Sequence, residues 1–165
     1  FFWISIALCF WSFGFSMANS APTMEIAFFW RRVAAIGWSF IYAMMLHMIL
    51  ILTQKNERLN PKQYFLLYSP ALVSLYAFCI SKSISVGQYN LFRGEHGWFN
   101  VTVNNGWDWF FYVYYLGYIL VGMGLLLHWR KVSDNNQRKQ ANILLVAIIS
   151  IAILGTLSDV VLNSV

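Results

Sequence analysis

Charge is what this sequence has least of. Asp, Glu, Lys and Arg make up 10% of its 165 residues, against about 25% in an ordinary soluble domain. That shortage, in so apolar a chain, excludes a disordered segment and a typical cytosolic enzyme. Cysteine is scarce too. Two residues cannot staple a secreted disulfide module, and Cys9 and Cys79 fall in separate apolar stretches, where packing as small apolar groups is expected. Proline occurs three times, and only Pro70 lies inside a predicted span. The catalytic signatures His-Glu-x-x-His, Gly-x-Ser-x-Gly, Walker A and Gly-x-Gly-x-x-Gly are all missing. The three histidines, His47, His96 and His128, stand in different segments without a paired ligand nearby, so neither a metal nor any other cofactor is expected. Eleven Lys and Arg against six acids give a net charge of +5. They are scattered between apolar runs rather than gathered on a basic helix, so nucleic acid is not an expected partner.

What the chain does have is apolar bulk: 59% hydrophobic and 19% aromatic residues, with a mean hydropathy of +0.58. At this size only a lipid environment accommodates so much apolar surface, which makes membrane lipid the first partner. Five windows hold no Asp, Glu, Lys or Arg: residues 1–24, 33–54, 63–81, 109–129 and 140–158. About 20 helical residues cross a hydrocarbon core near 30 Å, and a segment in lipid must satisfy its own backbone hydrogen bonds. The windows lack the alternation of barrel strands. The predicted fold class is therefore all-α, a polytopic transmembrane helix bundle with five spans at about 1–18, 27–53, 63–81, 108–129 and 141–162. The start, Phe1-Phe2-Trp3, has no initiator Met, so the expectation is one incomplete membrane domain, 1–165, excerpted from a longer protein.

Basic residues set the orientation. The second-to-third connection holds Lys55, Arg58 and Lys62, and the fourth-to-fifth holds Arg130, Lys131, Arg138 and Lys139. The opposite side holds Arg31, Arg32, Lys82 and Arg93. Seven against four places the first set in the cytoplasm. Residues 82–107 then form one long extracytoplasmic loop. Within it, 88–92 and 98–103 have strand character around the turn Arg93-Gly94-Glu95-His96-Gly97, predicting a short β-hairpin whose faces carry Phe99, Val101 and Val103 on one side and Trp98, Asn100 and Thr102 on the other. The hairpin is either a lid over the bundle or part of a ligand-capture surface. A helix should start near Asp108, whose carboxylate suits its N-terminus. Gly117, Gly122 and Gly124 offer close helix approach.

Two arginines on the outer side run against the positive-inside tendency. Asp159 lies about 17 residues past Asn142, roughly 25 Å towards the same face. Intramembrane carboxylates are costly unless paired or hydrated. These positions predict an outer pocket rimmed by Trp30, Arg31, Arg32, Trp98, Trp107, Asp108 and Asp159. Interfacial anchoring by the arginines, or an Arg–Asp clasp between the second and fifth spans, would equally explain them.

Several stretches are familiar. Phe29-Trp30-Arg31-Arg32-Val33-Ala34-Ala35-Ile36-Gly37 resembles the third span of the N-terminal seven-helix region of bacterial sensor histidine kinases, and Ala7-Leu8-Cys9-Phe10-Trp11-Ser12-Phe13-Gly14 resembles its second. Ser69-Pro70 matches its fourth span. Asn105-Gly106-Trp107-Asp108-Trp109-Phe110-Phe111 with Tyr114-Tyr115 matches the fifth. Arg138-Lys139-Gln140-Ala141 and Leu154-Gly155-Thr156-Leu157-Ser158-Asp159 match the sixth. The resemblance implies helices two to six of a sensory input domain in the bacterial inner membrane. It also implies an unidentified small-molecule or peptide signal, a homodimer, and a cytoplasmic histidine kinase or diguanylate cyclase in the same chain. The excerpt itself is not expected to be an enzyme. The rival readings are a small transporter or channel fragment and a structural membrane subunit.

Overall fold

A computed structural model describes residues 2–54, 59–95, 97–101 and 103–160; for 151, 152 and 154–160 it describes the backbone alone. Helix α1 (Phe2–Asn19) turns directly into α2 (Met24–Leu52), and α3 (Pro61–Leu75) runs on as a π-helical turn, Tyr76–Ile80. A short helix α4 (Lys82–Gln88) precedes strands β1 (Asn90–Gly94) and β2 (Gly97–Val101). Two long helices, α5 (Gly106–Val132) and α6 (Asn135–Val160), complete the order. Among the described residues, four helices are long and apolar enough to cross a membrane: Phe2–Asn19, Met24–Leu52, Pro61–Ile80 and Gly106–Val132. Large apolar side chains such as Phe65, Val113 and Ile143 point outward at about 70% exposure, as expected of helices solvated by acyl chains.

Local chemistry explains most boundaries. Thr23 accepts from the Ile26 amide and starts α2 three residues ahead of the predicted span. Asn60 and Gln63 form a reciprocal capping box around Pro61 at the start of α3. Asn105 and Asp108 do the same for α5, which therefore begins at Gly106 rather than at Asp108. The Asp134 carboxylate caps the Gln137 amide and starts α6 well before residue 141. Residues 161 and 162 of the predicted fifth span lie outside the described residues.

Helix α2 is the hub, packed by α1, α3 and α5. Its joint with α1 is the tightest, and it is made by small residues. A Cβ on Gly14 would fall 2.6 Å from the Ala34 amide nitrogen, and one on Gly37 would collide with the Ala7 carbonyl. Lipid tails are as apolar as leucine, so close van der Waals approach, not apolar burial, favours helix pairing here. The glycines predicted for this role sit elsewhere. Gly117 and Gly124 look onto open space, and only Gly122 meets a neighbour, the Ile49 side chain. Tyr114 joins α5 to α2: its hydroxyl donates to the Ser39 carbonyl at 3.0 Å and accepts from the Ala43 amide at 3.2 Å. At the far end, Ile49, Leu126, Leu145 and Ile148 bind α2, α5 and α6 into one cluster.

Pro70 lacks an N–H, so the Leu66 carbonyl one turn earlier loses its helical donor. Ser69 Oγ takes its place at 3.1 Å, and Tyr118 Oη of α5 reaches the Leu66 and Leu67 carbonyls at 3.5 and 2.8 Å. His47 meets Tyr68 Oη at 2.8 Å through Nδ1.

The hairpin exists, shifted from its predicted bounds. Its strands pair antiparallel with Asn90 opposite Val101, Phe92 opposite Phe99 and Gly94 opposite Gly97. Gln88 belongs to α4 instead of β1, and Val103 lies beyond β2. The seven residues of α4 went unpredicted because β-branched and serine positions masked a helix that the Ser81 side chain caps. His96 in the turn and Thr102 lie outside the described residues.

An arginine-braced candidate site

Side-chain alternation gives the hairpin an inner face of Leu91, Arg93, Trp98 and Asn100 and an outer face of Phe92, Phe99 and Val101. Leu91 is 3% exposed and Phe92 49%, so the inner face docks on the bundle. Beneath it lies a cluster of Ala21, Ala27, Ala35, Ala77, Phe78, Tyr89 and Leu91, with Trp98 and Trp107 packed against it.

Arg31 braces this junction from within α2. It is buried, at 6% exposure. Its Nη2 donates to Asn19 Oδ1 of α1 and to the Trp98 carbonyl of β2, both at 3.0 Å. Its guanidinium carbon stands 4.3 Å from the Phe15 ring centroid. One side chain thus ties α1, α2 and the hairpin together. Its Nε is buried without an acceptor among the described residues. Arg32, the next residue, faces α3 instead: Nε donates to the Cys79 carbonyl at 2.6 Å and Nη2 to the Ile80 carbonyl at 2.9 Å. Those carbonyls end the π-helical turn and would otherwise lack donors.

Three further contacts fasten the hairpin to the α1–α2 connection. Trp98 Nε1 donates to the Ala21 carbonyl at 2.8 Å, and Arg93 Nη1 donates to the Pro22 carbonyl at 3.2 Å. Gly97 adopts a φ of 117° against the Asn19 carbonyl, where any Cβ would clash; a left-handed backbone in close approach requires glycine. On the other side, the Tyr89 hydroxyl points between the carbonyls of Phe78 (3.1 Å) and Arg31 (3.4 Å). Burial drives its phenol well above the usual tyrosine range, with neighbouring Arg31 and Arg32 only partly opposing the shift.

Of the seven residues expected to share a pocket, the structure brings Arg31 directly onto Trp98 and sets Arg32 and Trp107 around the same cluster. Trp30 packs edge-on against Phe13 and Phe29, on the α1 side. Asp108 caps α5. The side chain of Asp159 lies outside the described residues. Sequence reasoning missed Asn19, Tyr89 and Arg93. Two of them are ordinary loop or helix-end residues that acquire roles only from the folded path, although Arg93 was visible in the turn.

A family model described as the N-terminal 7TM region of histidine kinase matches residues 1–164. The chain belongs to that family. No curated protein and no solved structure matches it. In this histidine-kinase 7TM region, the side-chain acceptor and the carbonyls holding Arg31 and Arg32 are all neutral. Among the described residues, then, the hydrogen-bond acceptors of both guanidinium groups carry no charge. Both arginines hold neighbouring segments in place through these bonds.

Proposed function

We propose that this chain is the sensory input domain of a bacterial histidine kinase, set in the inner membrane. It crosses five times, at about 1–18, 27–53, 63–81, 108–129 and 141–162, with residues 82–107 outside and the output domain of the same chain inside. A small-molecule or peptide signal meets the outer surface formed by the hairpin, Trp98, Trp107 and Asp108, with Trp30, Arg32 and Asp159 at its margin. The observation that carries this reading is the Arg31 brace: a displaced hairpin pulls simultaneously on α1 and α2, which lead to the opposite face of the membrane.

A signal transmits only if it binds two arrangements with different affinities. A tenfold change in output needs about 1.4 kcal/mol of differential binding. Breaking one charge-assisted hydrogen bond of the Arg31 kind is worth about 1.5–3 kcal/mol, so exchanging that bond is sufficient. Reporter fusions at Glu57, Glu95 and Asp134 test the topology, with Glu95 alone expected outside. Autophosphorylation of the full-length homodimeric kinase in membranes tests the coupling. Arg31→Met should change the basal rate several-fold, and an unchanged rate would refute the reading.

One observation favours a transporter: α3 carries an internal Pro70 and runs into a π-helical turn, and irregular helices mark many transport sites. Solute flux in reconstituted vesicles separates the two readings.

A further inference from the structure

Away from the arginine node, α3 and α5 diverge and leave a lateral groove of about 490 Å³ floored by α2. Leu46 and Leu50 form the floor, Leu66 and Pro70 one wall, and Val113 and Gly117 the other. Its two tyrosine hydroxyls are already engaged. Tyr118 spends its hydroxyl on the Leu66 and Leu67 carbonyls, and Tyr114 on Ser39 and Ala43. The groove therefore offers an occupant chiefly apolar contact and shape, with Gln63 the polar side chain at its end.

Its size selects the occupant. Along α5 it runs from Phe110 to Val121. A helix about 10 Å across over that length would fill roughly 1,300 Å³, more than the roughly 990 Å³ of unfilled space between the walls, open side included. A single acyl chain is slim enough. Seated there, it touches protein on three sides and gains dispersion contacts that a lipid on a convex flank lacks. Charge selects the head. The groove ends at Leu59 and Gln63, beside the capped N-terminus of α3 and Lys62. The sequence of this connection carries Lys55, Arg58 and Lys62 against a single acid, Glu57. Helix N-termini and basic residues both favour negative charge.

We propose that the α3–α5 groove is a lipid site that seats one acyl chain of an anionic phospholipid, whose phosphate lies against Lys62 and the start of α3. The site would tie the separation of α3 and α5 to the lipid composition of one leaflet.

Two glycines provide a matched test. Gly117 and Gly124 both lie on α5 and both face open space, but only Gly117 lines the groove. Native mass spectrometry of the full-length protein, reconstituted with phosphatidylglycerol or phosphatidylcholine and released from mild detergent, reads retained lipid. One phosphatidylglycerol should persist per protomer. Gly117→Phe should cut retention at least about tenfold, with Gly124→Phe unchanged, and Lys62→Glu should abolish the preference for phosphatidylglycerol. The proposal is overturned if no lipid is retained, or if Gly117→Phe retains it. Equal loss from both glycine variants, or disulfide formation between two copies of a Val113→Cys variant, would also overturn it.

Discussion

Replacing Arg31 by methionine keeps a long apolar stem and removes the fork that holds Asn19 Oδ1 and the Trp98 carbonyl. Asn19 is at the surface and rehydrates. The Trp98 bond is different, because it joins the hairpin to α2 and its donor is charged. Such bonds contribute about 1.5–3 kcal/mol each. The remaining fasteners, Trp98 Nε1 to Ala21 and Arg93 to Pro22, do not involve Arg31 and keep the hairpin from detaching outright. The expected result is local opening that is easier by that amount, or amide exchange roughly 10- to 150-fold faster. Hydrogen–deuterium exchange by mass spectrometry should place this gain in β1 and β2, leaving α5 amides near Tyr114 unchanged. Arg31→Lys keeps the charge but offers a more compact and more strongly hydrated donor, so its exchange should fall between the two. Arg32→Met is the internal contrast: it frees the Cys79 and Ile80 carbonyls and should loosen the end of α3 more than the hairpin. If Arg31→Met leaves hairpin exchange unaltered, or speeds it equally in every helix, the latch reasoning is wrong.

Gly37→Leu should separate α1 from α2, because the obstructing Ala7 carbonyl and Trp11 amide are backbone atoms that cannot swing aside; thermal denaturation in detergent should show a loss exceeding the roughly 1–3 kcal/mol typical of overpacking. Tyr114→Phe leaves the Ser39 carbonyl and the Ala43 amide without their cross-helix partner. Such bonds average about 0.6 and reach about 1.7 kcal/mol in membrane bundles, and equilibrium unfolding in mixed micelles should return a loss in that range. For Tyr89, burial raises the folded phenol above its unfolded value of 10.0. The unfolded form therefore ionises first, and hairpin docking should weaken only as the pH climbs past 10; alkaline titration followed by hairpin exchange should show this onset in the parent and lose much of it in Tyr89→Phe.

The helical architecture was legible because one physical signal dominates it: charge-free windows long enough to cross a bilayer. Boundaries were less so. Thr23, Asn60, Asn105 and Asp134 each extend or fix a helix end through a side-chain bond, and hydropathy is blind to caps. The hairpin's alternation was readable, but not which face would dock. Phe99 and Val101 look like the buried side by apolarity, yet Trp98 and Asn100 turn inward, because the junction beneath offers the carbonyl of Ala21 to an indole N–H. Two of the three helix-approach glycines, Gly117 and Gly124, were misassigned for a related reason. A glycine's value depends on what stands opposite it, and only the folded pairing sets Ala34 against Gly14 and Ala7 against Gly37.

The double arginine illustrates the limit most sharply. On the sequence, two outer cations and two distant aspartates leave open a pocket, interfacial anchoring or an Arg–Asp clasp, and the side chain of Asp159 lies outside the described residues. A helix places consecutive residues about 100° apart, so Arg31 and Arg32 address different neighbours. Arg31 looks towards α1 and the hairpin, Arg32 towards the end of α3. Both find carbonyl oxygens, which are abundant wherever a chain turns at a membrane surface and which present no second charge to desolvate. A carboxylate partner would add Coulombic attraction at the cost of dehydrating another ion. Among the described residues, neutral acceptors hold each guanidinium by geometry. Under the proposed sensory role, that combination suits a latch: the bond is strong enough to set one arrangement, and a ligand supplying a better acceptor would exchange it.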